Sequence, residues 1–300
     1  MMADVQEYRL FNVVLARKQV LSPSMLCCVF SGDDVRQMKM DAPDQRIKLL
    51  FPSRNGTPSS LSGEKSWWET VCAMPADIRP VARTYTLRRV NVEAGECEVE
   101  FVMHGTEGPA SAWALAAQPG DPLQIIAPNL ACTTDSGGYE WNPHRNVERA
   151  LVVADETAFP AAKAILEQLA QWRNPPPLQM FIELPKRADC IDLSHYRFAE
   201  VHWLPRDESG AAHGEAMLNA VKQYAELPAA ARERQQLSEG NEDDLLWDRA
   251  AGADTCFHGW VAAESSAVKQ VRRYLIGERG LSAECVSFMA YWSRGPRRKC

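Results

Sequence analysis

The sequence predicts two domains, an antiparallel β-barrel or sandwich followed by an α/β domain with a parallel sheet. Three observations lead there. The chain has 300 residues and a mass of 33.5 kDa, more than one average core holds. Its first half carries closely spaced, short strand-like runs with few helical stretches between them. Beyond residue 146, strand-like and helix-like segments alternate instead. A hydrophobic share of 46% against 24% charged is that of a globular protein and excludes a disordered chain.

Taken in order, the runs at 10–16, 24–30, 46–51, 84–90, 97–103 and 123–127 are bounded by Gly, Pro, Asn or Asp and read as strands. Glu98-Val99-Glu100-Phe101-Val102 alternates polar with apolar, the pattern of a half-buried strand. Residues 52–66, rich in Ser, Gly and Pro, form a polar loop. The run at 150–154 is continuously apolar, as in a strand covered on both faces. A helix from Ala158 to Trp172 follows, with Thr157 as its N-cap and Pro160 in its first turn. Strands at 178–184 and 199–204, a run at 260–263, a helix over 265–278 and a strand over 284–292 complete the second domain. Residues 225–254, of mixed charge, read as an insertion. The expected boundary falls between residues 146 and 147.

Charge and cysteine usage narrow the class. Thirty-three basic residues against 39 acidic ones give a net charge of −6, which argues against general nucleic-acid binding. No stretch approaches the ~20 apolar residues needed to span a bilayer. The nine cysteines are scattered, apart from adjacent Cys27 and Cys28, and none forms a C-x-x-C pair. They read as reduced thiols in a cytoplasmic protein. Asp4, Glu7 and Arg9 interrupt the first ten residues, so a secretion signal is not expected there. The six histidines make no metal-spaced pair, and no protein-bound metal is expected.

Two segments carry chemistry. In Arg83-Thr84-Tyr85-Thr86-Leu87-Arg88, strand alternation puts Arg83, Tyr85 and Leu87 on one face and Thr84, Thr86 and Arg88 on the other. Aromatic ring, hydroxyls and guanidinium are what a flat, electron-poor ring with a phosphate tail needs. An ordinary polar edge strand would read the same way. The second segment runs from His104-Gly105 through Gly108-Pro109-Ala110-Ser111 into a short helix over 110–117. Small residues let phosphate oxygens approach the backbone, and a helix N-terminus binds anions. A ligand-free β-to-helix turn is the plain alternative.

R-T-Y-T-L-R at 83–88, F-V-M-H-G-x-x-G-P-A-S-x-W-A at 101–114, V-V-A-D-E-T-A-x-P-A at 152–161 and A-Y-W-S-R-G at 290–295 resemble the siderophore-interacting protein family. These are bacterial flavin-dependent ferric-siderophore reductases related to ferredoxin–NADP reductases. The resemblance spans about residues 10–296, leaving out 52–66 and 225–254. It implies an N-terminal antiparallel FAD-binding β-barrel over 1–146 and a parallel-sheet NAD(P)H-binding α/β domain over 147–300. Arg83, Thr84, Tyr85, Thr86, Arg88, Phe101 and Val102 are then expected at the flavin. His104, Gly105, Gly108, Ala110, Ser111 and Trp113 are expected along its ribityl and pyrophosphate portion.

The resemblance further places Asp155, Glu156, Thr157 and Ala158 at a strand-to-helix turn near the nicotinamide. Tyr291 and Trp292 read either as aromatic cover for the flavin's nicotinamide-facing side or as core packing. No G-x-G-x-x-G is present. Glu183, Lys186 and Arg187 follow the next strand, where an adenosine ribose would lie. An acidic group there suits a free 2′-hydroxyl and a basic one a 2′-phosphate, so NADPH is favoured with NADH as the alternative, and a solvated charged turn would read the same way. The resemblance implies a ferric siderophore as substrate, drawn by Lys48 and Arg294, with Arg297, Arg298 and Lys299 as further basic groups. Family members usually read Y-W-R or Y-W-K, whereas Ser293 follows Trp292, and Asn129 stands where a basic residue is usual. The expected activity is NADPH-dependent reduction of ferric siderophores through FAD by a monomer. The alternatives are a protein fed by ferredoxin, a binder without turnover, or a related reductase with another acceptor.

Overall fold

The computed structural model describes residues 5–63, 66–105, 108–229, 246–251 and 256–294. Contacts divide the chain into two compact units meeting in sequence at Tyr139 and Glu140. The first holds β1 (Tyr8–Ser22), β2 (Met25–Ser31), β3 (Arg46–Phe51), α1 (Trp67–Ala73), β4 (Val81–Thr86), β5 (Arg89–Asn91), β6 (Glu96–Val102), α2 (Pro109–Ala116) and β7 (Pro122–Pro128). Its seven strands form one antiparallel sheet in the order β4-β3-β7-β1-β2-β6-β5, a half-barrel. Alternation builds it: Phe11, Val13 and Leu15 of β1 point into the core while Asn12 and Val14 do not.

The chain crosses between the two ends of this sheet within one residue. Leu87 N–H donates to Gln45 beside β3, and Arg88 N–H donates to Glu98 in β6. The strand expected over 84–90 is therefore broken at its middle, and its alternation stops at Thr86. Thr86, Leu87 and Arg88 are buried in succession. Arg88 points inward to Glu100, with Nε 3.2 Å from Oε1, so its expected place on Thr84's face is corrected. The loop after β3 is anchored by Gln124, which is 4% exposed. Gln124 Oε1 accepts from Ser59 Oγ at 2.6 Å and Leu61 N at 2.9 Å, and Nε2 donates to Leu61 O at 2.9 Å and Asn12 Oδ1 at 2.8 Å. All four hydrogen-bonding positions of a buried amide are thus filled.

The second unit holds β8 (Arg149–Asp155), α3 (Phe159–Leu169), β9 (Leu178–Leu184), β10 (Ala199–Pro205), α4 (Arg206–Ser209), α5 (Glu215–Tyr224), β11 (Trp247–Asp248), β12 (Phe257–Glu264), α6 (Ser265–Arg272) and β13 (Val286–Trp292). The sheet order is β10-β9-β8-β12-β13-β11, parallel except for the two-residue edge strand β11. One face is covered by α3 through Ala161, Ile165 and Leu166, the other by α5 and α6 through Met217, Val221, Val268 and Val271. Every residue of β9 and β12 is buried, the signature of central strands in such a layer.

Helix α3 starts one residue later than expected. Its N-cap is Ala158 with no side-chain cap, because Thr157 Oγ1 donates to Asp155 Oδ1 at 2.6 Å. Residues 230–245 and 252–254 of the expected insertion, and Arg297, Arg298 and Lys299, lie outside the described residues. Among the described residues, no helix is long and apolar enough to cross a membrane, and Cys28, Cys72, Cys97, Cys132, Cys190 and Cys285 are free thiols.

Candidate functional site

In the first unit, β4, β6 and α2 converge on one aromatic cluster. The Tyr85 ring lies 4.6 Å from Phe101 and 6.3 Å from Phe51, and Trp113 of α2 lies 5.7 Å from Phe51. The two motifs that carry chemistry are brought together through this shared packing. Phe101 is fully buried, and its side chain supports the Tyr85 ring from within the core. Trp113 stacks on Phe30 at 6.0 Å and packs on the same core. Tyr85 is half-buried, and Val102 closes β6 beside Met25.

Lys48 is on the opposite face from Tyr85. It pairs directly with Thr84 across β3 and β4, while Tyr85 pairs with Ile47, and Lys48 Nζ donates to Thr84 Oγ1 at 2.6 Å. Arg83 shares Tyr85's face at the sheet edge and donates to the Ala82 carbonyl at 2.8 Å.

The turn from β6 into α2 is tied by Ser111, whose Oγ donates to Gly105 O at 2.7 Å and accepts from His104 N at 3.3 Å. That hydroxyl is engaged within the turn, which leaves the backbone as the anion-facing donor set. Gly105 needs its φ of +72°, a value few other residues adopt. Gly108 is different: it is the N-cap of α2 at φ −101°, ψ 141°, with no side-chain cap, and a Cβ there would meet no described atom within 4 Å. Neither backbone strain nor packing requires glycine at that position. The position leaves open space at the helix N-terminus, and the small Ala110 and Ser111 behind it fit a diphosphate approaching the backbone. The residues present therefore fit a flavin nucleotide.

In the second unit, the carboxyl ends of the parallel strands carry a buried charge cluster. Asp155, fully buried, accepts through Oδ1 from Thr157 N at 2.9 Å and from its hydroxyl. Through Oδ2 it accepts from Glu264 N and Trp292 Nε1, each at 2.9 Å. It thereby joins the ends of β8, β12 and β13. Arg206 of α4 grips Glu156 with Nη1 at 2.9 Å and Nη2 at 2.7 Å, and reaches Glu183 Oε1 at 3.2 Å. Burial pushes the Glu156 carboxyl up, but His213 and Arg206 outweigh it and hold it down at about 2. Asp155, Glu156 and His213 lie within 4.8 Å of one another, but both carboxylates are already engaged by protein donors, and the cation beside them is Arg206.

Glu183 is not a ribose-reading group, which corrects one expectation. It is fully buried, and its oxygens accept from Gly214 N at 2.8 Å and Met217 N at 3.1 Å, capping α5. Arg187 remains exposed, 61% by its side chain, 3.9 Å from Glu208. Tyr291 packs between Trp247, parallel at 6.1 Å, and Trp260, perpendicular at the same distance, so it belongs to the sheet edge. Arg294 N–H donates to Glu264 Oε1 at 3.3 Å and its side chain is exposed. Asn129 is a turn residue: Nδ2 donates to Gln6 O at 3.2 Å and Oδ1 accepts from Ala131 N at 3.1 Å.

A half-barrel with a glycine-opened helix N-terminus, together with a parallel α/β unit, defines an FAD-binding oxidoreductase fold. The family description "Siderophore-interacting FAD-binding domain" matches residues 14–132, and "Siderophore-interacting protein" matches residues 147–295. The chain belongs to the siderophore-interacting protein family. It is 28% identical to the ferric vibriobactin reductase ViuB of Vibrio cholerae, over 93% of this chain and 88% of that protein. It is 24% identical to the NADPH-dependent ferric-chelate reductase of Escherichia coli, over 95% and 94% respectively. A solved siderophore utilization protein from T. fusca shares the fold with a TM-score of 0.71 at 24% identity, covering 98% of this chain and 96% of its own.

Proposed function

We propose that this protein reduces ferric siderophores with NADPH through bound FAD, and the observation that carries the reading is the open N-terminus of α2 at Gly108, on a helix whose Trp113 packs into the Tyr85 cluster through Phe51. FAD, when bound, takes two electrons from the nicotinamide and gives them up singly to ferric iron. Tyr85, braced by Phe101 and Phe51, presents a rigid aromatic edge for the flavin ring. The N–H groups at the start of α2 hold the diphosphate, a task the engaged Ser111 hydroxyl leaves to the backbone. Lys48 of the first unit supplies positive charge for the anionic chelate, and the exposed Arg294 is a further basic group in the second. Hard hydroxamate and catecholate oxygens bind Fe(III) far better than Fe(II), so reduction releases the iron without acid–base chemistry from the protein.

Gly108→Val tests the flavin seat. Because a Cβ there meets no described atom within 4 Å, the apoprotein is expected to keep its melting temperature within a few degrees, while the FAD Kd rises at least about tenfold by fluorescence titration. An unchanged Kd would move the diphosphate elsewhere.

The purified protein is expected to be yellow, with FAD bleached on anaerobic addition of NADPH. A bound flavin that stays oxidised would sink the reductase reading and favour a ferredoxin-fed protein or a binder without turnover, which Ser293 in place of a basic residue also suits. Glu183's engagement leaves Lys186 and Arg187 as the nucleotide-facing charges after β9, which supports NADPH over NADH. Arg187→Ala is accordingly expected to raise the KM for NADPH about tenfold and leave that for NADH unchanged, measured with one ferric chelate as acceptor.

A further inference from the structure

His213 stands in the loop before α5, remote in sequence from every motif that carries chemistry. Its side chain is only 5% exposed. Nε2 lies 3.3 Å from Asp155 Oδ2 and 3.7 Å from Glu156 Oε2, and the ring meets Trp292 edge-on, 5.2 Å between centroids at 81°. Neither ring nitrogen has a well-aligned hydrogen-bond partner among the described residues, so the attraction is between charges. Packing alone would be served as well by phenylalanine.

Two carboxylates face this ring, Asp155 from the end of β8 and Glu156 from the turn after it. Glu156 is tied in turn to Arg206 of α4, which also reaches Glu183 of β9. The Glu264 carboxylate, on β12, is held by Ser266 and by the Arg294 N–H. Asp155, Glu156 and Glu183 bring three negative charges against the single positive charge of Arg206. A cationic imidazole supplies a second. Burial lowers the His213 pKa, yet Asp155 and Glu156 outweigh burial and lift it to about 9.

We propose that His213 is a positioning residue that acts through Asp155: as a cation it keeps this carboxylate turned toward Trp292, and so fixes the indole at the carboxyl end of the parallel sheet where the nicotinamide nucleotide is handled. Asp155 Oδ2 is the shared atom, accepting from Trp292 Nε1 at 2.9 Å while facing His213 Nε2. Without the cation, Oδ2 loses the charge that holds it on this side, and the carboxylate is free to turn away from the indole. The kinetic consequence rests on the reductase reading; the position of the indole does not.

The test uses ¹⁵N-labelled holoenzyme. The Trp292 Nε1–H signal, identified by its loss in Trp292→Phe, is expected to titrate with a midpoint near 9. His213→Gln is expected to displace that signal and abolish the titration. In stopped flow, His213→Gln and His213→Phe are both expected to slow flavin reduction by NADPH about tenfold, with the NADPH Kd within twofold and reduction by dithionite unchanged. Because His213→Phe keeps the edge-on ring, wild-type behaviour of this variant in both measurements would overturn the proposal. So would an indole signal in the wild type that ignores pH across this range. A wild-type flavin that NADPH fails to reduce would overturn the reductase reading alone, and the indole signal would still decide the role of His213.

Discussion

Arg206→Met is expected to lower the unfolding free energy of the α/β unit by about 3–5 kcal/mol, the loss seen when one partner of a buried ion pair is removed. Arg206 holds two carboxylates: both oxygens of Glu156, 2% exposed, and one oxygen of Glu183, fully buried. Methionine fills much of the volume but leaves both negative charges in a low-dielectric interior without their counter-ion. Glu183 keeps the Gly214 and Met217 N–H groups, so Glu156 carries most of the loss. Arg206→Lys keeps the charge and gives up the two-pronged grip, and is expected to recover part of the stability. Adding Glu156→Gln to Arg206→Met removes the stranded charge and is expected to recover more. Urea unfolding of the holoenzyme measures all three. A loss below about 1 kcal/mol in Arg206→Met would put this contact with exposed surface pairs.

That cluster also shows where sequence reading reaches its limit. The FAD-binding class was legible because its information is local: the aromatic strand over 81–86 and the small-residue turn after β6 each carry a motif within a few positions. β3 falls at 46–51 as expected, and β9 at 178–184, since alternation or continuous apolarity within a strand needs no distant partner. Helix α5 was missed for the converse reason. Its N-cap is Gly214 at φ +86°, no local side chain caps it, and its cap is Glu183, 31 residues earlier in the chain. Glu183 was in turn misread as a ribose partner, because sequence placed it after a strand but could not show what β10 and α5 would bring beside it. Thr157 carries a good N-cap signal, yet Asp155 two residues before it took the hydroxyl, an Asx-type turn that the D-E-T spacing itself could have suggested. Arg88 was misplaced because period-2 alternation was extended past the point where the chain leaves β3 for β6. Arg206 and His213 have no local signal at all. Only the closing of the sheet's carboxyl edge gives them their partners.

Two histidines of the α/β unit should shape its stability against pH in opposite directions, with a maximum near pH 6.5. His258 is buried, edge-on to Trp141 at 4.9 Å, and burial lowers its pKa from 6.5 to about 4. Between those values the unfolded chain binds a proton that the folded unit refuses, so stability falls as pH drops from 6.5 toward 4, by on the order of 3 kcal/mol at most. Glu156 adds a further loss at lower pH: its carboxyl is held at about 2 against an ordinary 4.5, so its contribution disappears as pH falls through that interval. His213 sets the other limb. With its pKa raised to about 9 against 6.5, the folded unit keeps a proton that the unfolded chain has released, and stability falls as pH climbs between the two. Melting temperatures measured from pH 4 to 9.5 should therefore decline on both sides. His258→Phe, which keeps an aromatic edge for Trp141 and removes the titrating nitrogen, is expected to flatten the limb from 6.5 to 4 and leave the alkaline limb intact. His213→Gln is expected to be less stable at pH 6.5 and to lose the alkaline limb, because Asp155 and Glu156 then lack the same counter-charge at every pH. A wild-type curve that stays level between pH 6.5 and 9 would show that His213 is neutral in the folded protein, and the charge balance assigned to the sheet's carboxyl edge would have to be redrawn around Arg206 alone.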